Sequence, residues 1–466
     1  MNFKKTYCNP IKIENYPRGY ELPSHRSLAD PSVLFCNGKW YMYPSYEMAY
    51  VSEDFINWEH HKINPCDIGY APTVVEHRGK IYLYGRDRNL YVSDNPLGPF
   101  KNLGIIEFDD GTPLNASIDP MIFSDDDGRV YIYYSIVISN DNRVDVSIWG
   151  TELDADNLTR AIGKEKCLIK FDNTHKWECY GARNQNTSLS WIEGVWMLKR
   201  NGRYYLTYSA CGTQYGTYAT GAYYSDKGPL EGFIYQKHNP ICNRSHGLVA
   251  GGGHGCIVEG PNDTLWAFYT CPANYTHMFE RRVSMDPVAI NEDGEIMVLK
   301  NTDSPQWAPG EKKNPYFEND TGLFPLTYSE KAYATSSEPG RDALYACDES
   351  MLTWWQPKAE DNEKILTVSL GGLYAVSSAR VIWREVGLDY ENGIFPGAFR
   401  YKIEVSTDEK TWKTVVDKSE NTKDYLIDYE AFDTADAAWA RLVICDAPKI
   451  IEAGVISFTV FGKLSY

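Results

Sequence analysis

One eight-residue pattern recurs five times in the first part of the chain: GKWYMYPS (38–45), GKIYLYGR (79–86), GRVYIYYS (128–135), GRYYLTYS (202–209) and, more weakly, DTLWAFYT (263–270). Each copy sets alternating aromatic and aliphatic residues behind a turn-forming Gly or Asp, as the second strand of a β-hairpin does. Successive copies begin 41, 49, 74 and 61 residues apart, and periods of that size in an all-β chain mean propeller blades. A further strand-and-turn piece follows in AYVSEDFINW, LYVSDNPLGPF and AYYSDKGPLEGF. Long helical periodicity is absent from residues 1–300. The fold expected for this part is a five-bladed β-propeller.

Just upstream of each copy runs a segment that should be the innermost strand of its blade: ADPSVLF (29–35), YAPTVVEH (70–77), IDPMIFSDD (118–126), IEGVWMLK (192–199) and GHGCIVEG (253–260). Counted back from the residue that opens the repeat, Asp30 lies eight positions away, and Asp119, Glu193 and His254 each lie nine. Blade two carries Tyr70 or Ala71 there. Matched positions on symmetry-related blades converge on one axis, so three carboxylates and one imidazole are expected at one mouth of the channel. Like charges that close raise one another's pKa, and structure alone gains nothing from it. Taken singly, Asp30 and Asp119 also suit a role as turn-openers, since each stands before a Pro.

Composition narrows the partners. The chain has 466 residues and a net charge of −17, with no basic block, which argues against nucleic acid and anionic membrane. No run of about 18 apolar residues is present. No signal peptide is visible behind MNFKKTYCNP, and the eleven cysteines are scattered singly, a usage commoner in a reducing cytosol. The expected location is therefore cytoplasmic, or periplasmic or secreted if a leader preceded this numbering. The 35 Tyr, 13 Trp and 17 Phe suit sugar handling, because ring faces stack on the apolar faces of sugars. They equally suit strands, for which Tyr has high propensity.

The motifs ADPSVLF–GKWYMYPS, SIDPMIFSDDDGRVYIYYS and SWIEGVWMLKRNGRYYLTYS, in that order, resemble glycoside hydrolase family 43 over roughly residues 20–305. That family consists of five-bladed propellers that hydrolyse furanosides and xylosides of plant polysaccharides. The resemblance implies an inverting mechanism with Asp30 as general base, Glu193 as general acid and Asp119 modulating the acid. It implies that His254, in GGGHGCIVEG, sits near a bound cation, with calcium the expected ion. It implies a substrate-binding arginine at Arg281, with Arg282 beside it as the competitor. Tyr70 stands where many members carry Trp, a smaller aromatic platform for the sugar. The residue types suit this chemistry independently: inversion needs one carboxylate to deprotonate water and one carboxylic acid to protonate the leaving oxygen, about 6.5–9.5 Å apart. Trp191 and Trp196 are expected to give Glu193 apolar cover that keeps it protonated. Trp177 and Tyr180, in HKWECYG, fall in a polar stretch between blades three and four and are candidates for stacking on substrate from a rim loop.

The expected domains are 1–305 for the propeller, 306–325 for a proline-rich connector whose Trp307 and Phe317 call for burial, and 326–466 for a β-sandwich of about eight short strands. ATSS (334–337), TWWQPK (353–358), LTVSLGG (366–372), YKIEVSTDEKTW (401–412) and ARLVICDAP (440–448) resemble a discoidin, or coagulation factor 5/8 type C, domain. Such domains often bind carbohydrate at one end of the sandwich. Two function classes follow. One is an exo-acting hydrolase of arabinofuranosides, with β-xylosides or galactofuranosides as alternatives, acting on oligosaccharides or polysaccharides without an organic cofactor. The other is a carbohydrate-binding propeller that has lost catalysis.

Overall fold

The Gly that opens each repeat sits in a tight hairpin. In blades one, two and four both central turn residues have positive φ: Asn37 and Gly38, Arg78 and Gly79, Asn201 and Gly202. This two-residue turn matches the twist of the strands it joins. The computed structural model describes residues 3–63, 68–116, 118–140, 143–273, 277–299, 301–328 and 330–465.

Five antiparallel blades result. Blade one comprises Ser32–Cys36, Lys39–Tyr43, Met48–Ser52 and Glu59–Lys62, and blade two Thr73–His77, Lys80–Tyr84, Asn89–Ser93 and Lys101–Ile105. Blade three begins at Ile118–Ser124, blade four at Glu193–Arg200 and blade five at Gly253–Glu259. Blade three carries a fifth strand, Glu107–Phe108, paired parallel to Asn157–Lys170. The innermost strands adjoin one another in chain order, and those of blades one and five also meet, which closes the ring. Among the described residues no helix is long and apolar enough to cross a membrane.

The segment before blade one binds the propeller to the C-terminal domain. Ile11 N donates to Val283 O at 3.0 Å, Leu28 N to Arg281 O at 3.1 Å and Met285 N to Asn9 Oδ1 at 2.9 Å. Tyr7, Ile11, Ile13 and Tyr16 are buried in one apolar cluster with Trp355, Trp383 and Val455 of the C-terminal domain. Arg26, 1% exposed, donates to both oxygens of Glu385 at 2.8 Å and to Asp424 at 2.6 and 2.9 Å. Arg384 reaches back to Glu280 at 3.3 Å.

The C-terminal domain is all-β, but its strands differ from the eight short ones expected. Seven strands share one hydrogen-bonded network, and two of them, Ile365–Val386 and Ile427–Asp446, run 22 and 20 residues. LTVSLGG and SARVIWREV are thus one long strand. Its register shifts between Ser369 and Tyr374, where Gly371 takes a φ of 72°, so the chain turns a corner without a loop. Trp307 stacks on Phe3 at 5.7 Å. Phe317 stays 71% exposed, against the burial its apolarity called for.

Candidate active site

The five innermost strands enter the ring through the same backbone feature. Asp30, Ala71, Asp119, Gly194 and His254 all have positive φ, from 33° to 62°. Strand pairing shows the equivalence: Ile118 faces Ser135, Glu193 faces Ser209 and Gly253 faces Thr270, each followed at once by a register shift. Bulges of this kind re-aim side chains beside active sites. Asp30, Asp119 and His254 therefore occupy equivalent positions, as counted from the sequence. Glu193 does not: its equivalents are Ile118 and Gly253, and Gly194 stands in the shared position. The nine-residue count misled because blade four turns on the two-residue Asn201–Gly202 hairpin, as blade one does, whereas the turns of blades three and five are longer.

Gly194 is required where it stands. A Cβ there would lie 2.8 Å from His254 Cγ, and its φ is 62°. Its bare N–H donates to Asp119 Oδ2 at 3.1 Å. Hydroxyls from the second strands of neighbouring blades fix the other bends: Asp30 N donates to Thr270 Oγ1 at 2.8 Å, His254 N to Ser209 Oγ at 2.6 Å and Ala71 N to Ser45 Oγ at 3.0 Å.

Asp30, Asp119, Glu193, His254, Arg281, Tyr70 and Trp191 all line one cavity of about 510 Å³ at the channel mouth, together with Glu21, Tyr180, Thr213 and Phe279. Arg281 Nη1 donates to Asp30 Oδ1 at 3.0 Å and Ser45 Oγ to Asp30 Oδ2 at 2.6 Å. His254 Nδ1 lies 3.3 Å from both Asp30 Oδ1 and Asp119 Oδ2. Across the cavity, Tyr218 donates its hydroxyl to Glu193 Oε1 at 2.9 Å and Trp191 its indole N–H to Oε2 at 2.5 Å.

These surroundings split the acids. Burial pushes the Asp30 carboxyl up, but the Arg281 guanidinium, His254 and the Ser45 hydrogen bond outweigh it and hold it below the ordinary aspartate value. Burial raises Asp119 to about 7, helped by the Asp30 charge. Burial and the Asp119 charge raise Glu193 to about 8, against the opposing pull of His254, Trp191 and Tyr218. At neutral pH one carboxylate is ionised and one carboxylic acid holds its proton, the division that acid–base catalysis needs.

The arginine alternatives also separate. Arg281 faces the cavity, and its Nε and Nη2 are buried with no partner. Arg282 turns the other way, over the Tyr16 ring and toward Glu280. Two aromatic expectations fail. Trp177 is no rim platform: its N–H donates to Tyr235 Oη at 2.8 Å and its ring packs on Tyr208 and against Gly221. Tyr180, three residues on, lines the cavity instead. Trp196 does not cover Glu193, because the bulge turns it away to donate to Ile257 O at 3.0 Å. Tyr218, Thr213 and Phe279 escaped sequence reasoning, since they lie outside the repeating strands.

Residues 24–296 match glycosyl hydrolases family 43, and residues 345–442 match a NedA-like, galactose-binding domain. A xylosidase/arabinosidase of Bacteroides ovatus is 24% identical, over 59% of this chain and 96% of its own length. A beta-D-galactofuranosidase of Aspergillus niger is also 24% identical, over 59% of this chain and 83% of its own. The crystal structure of a thermostable family-43 glycoside hydrolase aligns with a TM-score of 0.53 and 26% identity, covering 66% of this chain and all of that one. With the family match spanning more than half of its length, this chain is an O-glycosyl hydrolase that belongs to glycosyl hydrolases family 43.

Proposed function

We propose that the protein is an inverting, exo-acting hydrolase that removes an arabinofuranosyl residue from plant-type oligosaccharides or polysaccharides. One observation carries the mechanism: carboxyl groups around one cavity are held in opposite protonation states, Asp30 by Arg281 and Ser45, Glu193 by burial beside Asp119. Asp30 takes a proton from a water as that water attacks the anomeric carbon. Glu193 gives its proton to the departing glycosidic oxygen. The bond to water forms on the face opposite the bond that breaks, so the anomeric configuration inverts. Asp119 keeps the acid protonated by like-charge pressure. Arg281 offers its unpaired N–H groups to sugar hydroxyls, and Tyr70 and Trp191 offer ring surface.

The names of the relatives, xylosidase/arabinosidase, beta-xylosidase and beta-D-galactofuranosidase, define the alternatives. A cavity of about 510 Å³ at the channel mouth favours action at a chain end. Turnover of 4-nitrophenyl α-L-arabinofuranoside, β-D-xylopyranoside and β-D-galactofuranoside separates them. The arabinofuranoside is expected to have the highest kcat/KM, and a higher value for either other substrate replaces that assignment.

A cation beside His254 is weakly provided for. Nδ1 of the ring faces Asp30 and Asp119, which leaves Nε2, and water would have to supply the other ligands. A calcium ion takes six to eight oxygen ligands, waters among them, so the ring could hold one only through its water shell, and no step above passes through a metal.

A further inference from the structure

Beside the cavity, on the side facing the C-terminal domain, a second set of polar groups stands without partners. His25 is 2% exposed, and neither of its ring nitrogens has a hydrogen-bond partner. Oε2 of Glu21 is likewise buried and unpartnered. A bare buried donor or acceptor costs about 1–3 kcal/mol, so two such groups side by side call for an occupant. His277 completes the group: its ring centroid lies 5.0 Å from that of His25, and its Nδ1 accepts the Phe279 N–H at 3.3 Å, which leaves Nε2 as the ligand atom.

We propose that Glu21, His25 and His277 form a binding site for a zinc-class divalent cation. One ligand atom from each lies within 4.8 Å of the others, and His25 Nε2 is 3.8 Å from Glu21 Oε2. Ligand atoms around a tetrahedral zinc, each at about 2.0–2.1 Å, stand roughly 3.4 Å apart. Small side-chain rotations close the difference. Two imidazoles and one carboxylate select zinc or a similar transition ion over calcium or magnesium, which prefer all-oxygen shells. Three protein ligands leave the fourth position to water.

One neighbour leaves room for the site. Gly19 has no side chain, and a Cβ there would stand 2.0 Å from His25 Nε2. Asp30 pairs with Arg281, and Glu280 with both Arg282 and Arg384, which offsets part of the positive charge beside the site. The ion would tie the loop carrying Glu21, which lines the cavity, to the turn carrying Phe279 and Arg281, which line it too. It would thus set the rim that receives the sugar.

Titration of the metal-stripped full-length protein with cobalt(II), followed by visible absorption, tests the site without using activity. The expected result is one equivalent bound, displaced by zinc, with a rise in melting temperature. His277→Ala and Glu21→Gln alter partly exposed side chains, and each should weaken cobalt binding at least about tenfold; His254→Ala should leave it unchanged. Absence of a saturable one-equivalent signal overturns the proposal. So does unchanged affinity in both His277→Ala and Glu21→Gln.

Discussion

Asp30 is buried and Glu193 partly buried, and their roles in the proposed mechanism diverge through what touches them. Asp30 meets a guanidinium and a hydroxyl, whereas Glu193 meets neutral donors and the charge of Asp119. Asp30→Asn and Glu193→Gln should each lower kcat on natural glycosides by about 10²–10⁴-fold while leaving the melting temperature near that of the parent. With a nitrophenyl leaving group, which needs little protonation, the Glu193 variant should lose much less. Equal losses on both substrates would remove the general acid from Glu193. The pH profile follows from the same contacts. In the proposed mechanism Asp30 acts ionised, so activity should fall as pH drops through its depressed pKa. Glu193 acts protonated, so activity should fall as pH rises through about 8. The Tyr218 hydroxyl favours the charged form of Glu193, so Tyr218→Phe should move the alkaline limb to higher pH, and a downward move would contradict this electrostatic account. Asp30 and Asp119 were legible because each stands at an equivalent point before a repeated strand; Glu193 was legible as the acid beside that point, one residue before Gly194. Tyr218 was not, since no pattern marks a residue whose one task is to face another blade.

At the scale of strands, the site depends on five bends at the inner ends of the blades. Four use non-glycine residues with positive φ, a conformation that costs about 1–3 kcal/mol each and persists where surrounding structure enforces it. The fifth uses Gly194, whose N–H serves Asp119 and whose missing Cβ makes room for His254. Gly194→Ala should therefore displace the imidazole from Asp30 and Asp119, cutting kcat/KM at least about tenfold and lowering thermal stability; a variant with parental kinetics would show that this contact does not order the site. The hairpins themselves were readable from the turn-forming Gly or Asp that opens each repeat. The bulge was not, for it changes direction without a mark in hydrophobic alternation, and it carried Trp196 away from Glu193. Trp177 was misplaced for a similar reason: a Trp in a polar segment looks exposed until Gly221 supplies the slot into which it packs.

At the scale of the molecule, the catalytic ring and the C-terminal domain are joined by buried contacts. Arg26 is held by Glu385 and Asp424, while Arg281 and Glu280, adjacent in sequence, face the cavity and the second domain respectively. Truncation near residue 320 should give insoluble protein or a clearly lower melting temperature, because it strips the cover from Tyr7, Ile11, Ile13 and Tyr16. Arg26→Ala, which leaves the buried Glu385 and the partly buried Asp424 without their guanidinium, should cost about 3–5 kcal/mol by denaturant unfolding. A soluble fragment with full activity and stability would contradict the first, and an Arg26→Ala protein as stable as the parent the second. The two β-domains were legible from periodicity and turn spacing. Their union was not, since it rests on contacts such as Asn9 with Met285 and Arg26 with Glu385, remote in sequence and unmarked by any motif. The central claim, that Asp30 activates water on one face while Glu193 protonates the leaving group on the other, is tested most directly by proton NMR of the first sugar released from 4-nitrophenyl α-L-arabinofuranoside, or from the best substrate in the panel. The account predicts that the first-formed anomer has the configuration opposite to the substrate, before mutarotation mixes the two. Release with retained configuration would mean a covalent intermediate and would contradict it.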